Sequence, residues 1–182
     1  MRRATAKSHK LNSNSASRPL NYIRSKKHPL ALRSARVERK ATTERPRVVL
    51  ATEAAVKRQT PTGIVDEVLL MAGIVWRYGP PRIPLLAGDE SSVRNIVGSV
   101  RNLRVLERQL VGDIYFASDP QAQSVASKFA DGFLTSVEVI HAPVEILDIP
   151  AGRTSDYGGI SLSGPAALIV RWRPLHARLV AS

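Results

Sequence analysis

The chain has 182 residues, of which 43% are hydrophobic, and a formal charge of +12. That is length for one ordinary domain with a tail, and enough apolar material for a real core. The absence of cysteine excludes disulfides, thiolate zinc sites and a cysteine nucleophile, and no apolar run reaches the roughly 18 residues that a membrane-spanning helix needs.

The charge is unevenly placed. Residues 1–47 hold 14 Lys and Arg against two acids, Glu38 and Glu44, which leaves 13 of each sign in the remainder. The body is therefore neutral and the first 47 residues carry the whole excess. A like-charged block with few apolar residues cannot offset its ordering entropy, so residues 1–45 are expected to be a tail that is disordered when free. Against a polyanion such a tail is adhesive, because each cation that neutralises a phosphate releases counterions. Its candidate RNA contacts are Arg2, Arg3, Lys7, Lys10, Arg18, Arg24, Lys26, Lys27, Arg33 and Arg36. The same segment is rich in Arg and Ser and has no acid before Glu38, as a mitochondrial transit peptide would. Residues 31–40 suit a short helix in the bound state.

Order is expected from Pro46. Val48, Val49 and Leu50 form a β-rich run, and Lys57 and Arg58 lie in a polar loop where they could also meet RNA. Thr60 and Pro61 signal a helix start. Ile64, Val65, Val68, Leu69, Ala72 and Val75 follow at helical spacing. Gly79, Pro80 and Pro81 break the chain, and Ile83, Leu85 and Leu86 read as a short edge strand because of Pro84. Asp89, Ser91 and Ser92 are N-cap candidates for a second helix with the stripe Val93, Ile96, Val97, Val100 and Leu103. Leu106, Leu110 and Val111 suggest a third strand. Residues 46–111 thus spell strand, helix, strand, helix, strand: an α+β fold with two helices on one face of a small sheet.

Residues 112–182 read as an α+β C-terminal extension. Asp119 and Pro120 begin a helix with Val125, Ala126 and Phe129 on its apolar face, and Gly132 stops it. Val137, Val139 and Ile140 make a strand that Val144, Ile146 and Ile149 continue or pair with. Residues 153–159 form a turn-rich loop. Leu168, Ile169, Val170 and Trp172 make the last strand, with Trp172 inward and Arg171 and Arg173 outward.

On the second helix Arg94 and Arg101 would sit within about 20° of each other, with Arg104 roughly 60° further round. Three arginines on a helix are more often a solvated face than a site. The basic tail shifts the balance, since guanidinium forks suit phosphates. Trp76 and Tyr78 flank Arg77, a pattern that stacks on unpaired bases and equally one that seals the edge of a small core. The four histidines are scattered without ligand spacing, and no Walker loop, nucleophile elbow or dinucleotide fingerprint occurs. No enzyme, metal or cofactor is expected.

The run Asp89-Glu90-Ser91-Ser92-Val93-Arg94-Asn95-Ile96-Val97-Gly98-Ser99-Val100-Arg101-Asn102-Leu103 resembles the signature of the bacterial-type large-subunit ribosomal protein L-thirty family. Leu69-Leu70-Met71-Ala72-Gly73-Ile74 is similar to that family's first-helix ending. Ser91, Asn95 and Asn102 stand where the family commonly has Pro, Gly and His. The resemblance covers residues 46–111 and implies a small structural protein packed on ribosomal RNA, with Arg94 facing RNA or capping the fold. Extensions at both ends look like those of mitochondrial forms. The expected role is a structural constituent of the large ribosomal subunit in the mitochondrial matrix. Its partners would be ribosomal RNA and neighbouring ribosomal proteins, with no membrane and no small-molecule substrate. The competing class is a viral capsid protein with a basic genome-binding arm. A shell domain of that kind needs about eight strands.

Overall fold

The computed structural model describes residues 31–36, 45–61, 63–76, 81–88 and 92–180. In chain order its strands are β1 (Ala31–Arg36), β2 (Arg47–Thr52), β3 (Val56–Thr60), β4 (Gly63–Leu69), β5 (Ile83–Ala87), β6 (Ile96–Leu106) and β7 (Gln109–Phe116). The helix α1 (Pro120–Ala130) follows, then β8 (Ser136–Ile149), β9 (Thr154–Tyr157), β10 (Ile160–Ser163) and β11 (Ala166–Val180). Nine of the strands form one mixed sheet in the order β1-β8-β11-β5-β6-β7-β2, with β4 on β11 and β3 on β4. The end strands β1 and β2 come within 8 Å of each other (Cα–Cα), so the sheet curls towards closure. The long strand β11 is its spine: it runs antiparallel to β8 and parallel to both β4 and β5. β7 runs through residues 111 and 112, and β11 pairs with strands on either side of that point.

The small α+β sheet with two helices is therefore corrected to a strand-dominated body, and α1 is the α-helix among the described residues. Both expected helices fail for identifiable reasons. In β6 the residues Val97, Val100 and Leu103 are buried at intervals of three. A regular strand buries every second residue. Here two bulges intervene, one where Leu85 and Leu86 of β5 face Gly98 and Ile96, the other between Arg101 and Arg104. Each bulge adds one residue to the count, and two of them turn a period of two into spacing that imitates a helix. Asn102 takes up the second bulge in the left-handed region, with φ 53°. Val93 to Asn95, the expected first turn of that helix, is an isolated 3-10 turn, with Ser92 Oγ accepting from Arg94 N.

The other expected helix is β4 followed by a 3-10 turn, Met71–Gly73. Glu67, Val68 and Leu69 are all buried, because both faces of β4 are covered at that end. Leu69 enters the main core with Trp172, Leu85, Val100 and Ile114. Val68 joins Leu147, Leu168 and Val170 in a smaller cluster capped by Ile160 and Leu162 of the β9–β10 hairpin. A strand buried on both sides loses its alternation. Residues 31–40, read as a short bound-state helix, include β1, which pairs antiparallel with β8.

The C-terminal reading holds better. Asp119 caps α1 by accepting from Ala122 N at 2.9 Å, and Pro120 occupies the first turn. Phe129 is buried and lies 5.9 Å from Phe116, centroid to centroid. Trp172 is fully buried and Arg171 exposed, whereas Arg173, expected outward, is half-buried with its Nε shielded from solvent.

Candidate nucleic-acid interface

Residues directly opposite each other in paired strands share a face. Ser99 lies opposite Tyr115, Arg101 opposite Asp113, and Arg104 opposite Val111. On the other side of β7, Arg47 lies opposite Asp113. The outer face of β6, β7 and β2 therefore carries a cross-strand row, Arg101–Asp113–Arg47, with Arg104 below it and Tyr115 above. Arg101 and Arg104 are three apart and would oppose each other on a regular strand. The Asn102 bulge brings them to the same side.

Tyr115 organises this face. The Arg45 guanidinium carbon lies 4.2 Å from its ring centroid and that of Arg101 4.4 Å, a double cation–π contact. Arg45 Nη1 also donates to the Tyr115 hydroxyl at 2.7 Å. Asn102 Nδ2 donates to Asp113 Oδ2 at 2.9 Å and to the Tyr115 hydroxyl at 3.3 Å. Arg101 Nε donates to Ser99 Oγ at 2.9 Å, and Arg104 Nη1 to the Asn102 carbonyl at 3.0 Å. Arg47 Nε stands 3.6 Å from Asp113 Oδ1. Four guanidiniums thus share one face with a single carboxylate, of which Arg47 faces it directly, and Arg45, Arg47 and Arg101 are exposed. Such preordered planar forks suit phosphate oxygens.

The sequence-derived candidates are distributed as follows. Arg101 and Arg104 belong to this face. Arg94 is exposed in the 3-10 turn before β6. The extended chain separates it from Arg101 by on the order of 20 Å, where a helix would have stacked the two. Lys57 is exposed on β3, opposite Asp66. Arg58 is turned into the protein, donating to Glu67 Oε2 at 2.6 Å. Arg33 and Arg36 lie on β1, and their side chains are outside the described set. Arg2, Arg3, Lys7, Lys10, Arg18, Arg24, Lys26 and Lys27 lie outside the described residues. Sequence reasoning missed Arg45, Tyr115 and Asp113 as site residues. The available signal was the alternation of Asp113 and Tyr115 with apolar Gly112 and Ile114 in β7.

A second polar group lies in the interior. Glu67, held by Arg58, sits 4.0 Å from Nε2 of the fully buried His141. The imidazole meets the Trp172 ring edge-on at 5.5 Å, and Trp172 Nε1 donates to the Leu70 carbonyl at 2.9 Å. Among the described residues no three His, Asp or Glu are grouped to hold a metal ion, and no helix is long and apolar enough to cross a membrane. No family model, curated protein or solved structure matches this chain.

Proposed function

We propose that the protein is a structural, non-enzymatic RNA-binding component of a large nucleoprotein particle. The observation that carries this reading is the charge partition: an excess confined to residues 1–47, running directly into the arginine face at Arg45 and Arg47. Segment and face are contiguous in sequence, and the remainder of the chain is neutral. Each phosphate that segment and face neutralise contributes through counterion release, which gives affinity without sequence preference.

Between the two particles that the sequence suggests, the strand-rich body meets the strand count of the genome-binding shell protein, about eight. Its nine-stranded mixed sheet, with β11 parallel to β4 and β5, differs from the paired antiparallel sheets of that design. The reading as a constituent of the mitochondrial large ribosomal subunit, among neighbouring ribosomal proteins in the matrix, retains the similarity at residues 89–103 and the same charge argument.

The test is fluorescence anisotropy with a labelled RNA of about 30 nucleotides between roughly 50 and 300 mM salt. It compares the native chain with a full-length variant carrying Gln at Arg2, Arg3, Lys7, Lys10, Arg18, Arg24, Lys26 and Lys27. The variant is expected to bind at least about tenfold more weakly, with a shallower salt slope. Equal affinity and slope would remove the proposal. Sucrose-gradient sedimentation of a tagged chain then separates the particles, since co-migration with large ribosomal subunits supports the ribosomal reading over the shell.

A further inference from the structure

Away from the arginine face, beside β11, lies an open cleft of about 630 Å³. Its lining includes Ile74, Val170, Trp76, Tyr157, Glu145 and Arg171. The floor is fixed: a Cβ on Gly73 would lie 1.7 Å from the Val170 carbonyl oxygen, so the 3-10 turn rests directly on β11. Val75 N donates to the Trp172 carbonyl at 2.8 Å and Ile74 bridges to Trp172. These bonds hold Trp76 at the cleft with 38% of its surface exposed. Tyr157, 40% exposed, enters from the β9–β10 hairpin. The register of β11 against β8 shifts on both sides of Arg171. Bulges of this kind re-aim a side chain. Arg171 Nη1 stands 4.0 Å from Glu145 Oε2, too far for a closed hydrogen bond, so both groups keep capacity for a ligand.

We propose that this cleft seats an unpaired guanine base of single-stranded RNA. Half-exposed aromatic rings are platforms for stacking a base. The polar pair selects which base. The guanine edge offers two adjacent donors, N1–H and the N2 amino group, that a carboxylate accepts together, and its O6 accepts from a guanidinium. Adenine turns an N1 lone pair towards the same carboxylate and is repelled. The choice of RNA as ligand class rests on the function proposed above, whereas the site itself is independent of the basic segment and the arginine face.

The experiment uses the full chain and its two tryptophans. Trp172 is fully buried and supplies a constant background, so quenching by added GMP or AMP reports on Trp76. GMP is expected to quench saturably and to bind at least about fivefold more tightly than AMP. Glu145→Gln should abolish that preference, weakening GMP and relieving the repulsion of AMP, and Trp76→Phe should remove the signal. Near-UV circular dichroism checks that each variant is folded. Equal quenching by GMP and AMP, a preference that survives Glu145→Gln, or a signal that survives Trp76→Phe would overturn the proposal. Tighter quenching by a capped Phe-Leu-Leu peptide would overturn it in favour of a peptide groove. GMP titration does not involve the basic segment, so its failure is distinct from failure of the RNA salt-slope test.

Discussion

Arginine has opposite fates on two parts of this sheet. Around β3, β4, β8 and β11 three guanidiniums each face a carboxylate: Arg58 with Glu67 and Arg178 with Glu138, both at 2.6 Å, and Arg171 with Glu145 at 4.0 Å. Arg108 at the β6–β7 turn is likewise held by Glu53. On the outer face of β2, β6 and β7, Arg45, Arg47, Arg101 and Arg104 share a surface whose one carboxylate, Asp113, faces Arg47. The first arrangement balances charge inside a neutral body. The second stores uncompensated charge on a rigid surface. Residues 48–182 are neutral in sum, so the local ratio of guanidinium to carboxylate, and not the count of arginines, singles out the surface proposed to meet a polyanion.

Breaking the balanced side should cost the fold most. Glu67→Ala leaves the half-buried Arg58 without its acceptor beside the buried His141, and a loss of about 2–4 kcal/mol is expected from urea unfolding, with RNA affinity unchanged. The uncompensated side should respond in the opposite way. Replacing Arg45, Arg47 and Arg101 together with Ala is expected to cost under about 1 kcal/mol of stability, because these side chains are exposed. The same triple variant should lower the salt slope of RNA binding by about 2, at roughly 0.7 for each phosphate of a single strand that is no longer neutralised. A stability loss that exceeds that of Glu67→Ala would erase the distinction between the two regions.

Asp113→Asn sharpens it. Removing the shared carboxylate while keeping an acceptor for Asn102 should tighten RNA binding by about two- to fivefold; weaker binding would show that Asp113 orients the arginines more than it neutralises them. The smallest effect concerns His176 on β11, whose pKa is held below its ordinary 6.5 by burial and then by the Arg178 charge. The unfolded chain therefore takes up the proton at higher pH than the folded one. Stability is complete above about pH 6.5 and falls as pH drops through and below that value. Thermal melts at about pH 7.5 and 5.5 should differ slightly less in His176→Gln than in the native chain.

Legibility in the sequence followed local chemistry. α1 was readable because Asp119, Pro120 and Gly132 act within one turn of the backbone they cap. β11 was readable in its first half as a β-rich apolar run, Leu168, Ile169, Val170 and Trp172. β6 was not, since its two bulges are set by pairing with β5 and β7, partners whose positions leave no mark on periodicity. β4 was hidden by burial on both faces, which depends on a strand about a hundred residues later. Within the candidate site, Arg101 and Arg104 were singled out on a helical geometry that the chain does not adopt. They share a face because of one left-handed asparagine. Arg45 and Tyr115 escaped notice because their contact joins residues 70 apart.

The position of β11 also sets an order of events during synthesis. β5 and β4 both pair with β11, yet β5 ends at Ala87 and β11 begins at Ala166. Its partners in β11 are Ala177 to Leu179, so at roughly 5–20 residues per second β5 waits about 5–18 s. The basic N-terminal segment is made before any of these strands, so on the proposed function it could hold a polyanion throughout that interval. The chain can thus be tethered to nucleic acid before its body closes, which would keep the half-made sheet, with its open edges, away from other copies of itself.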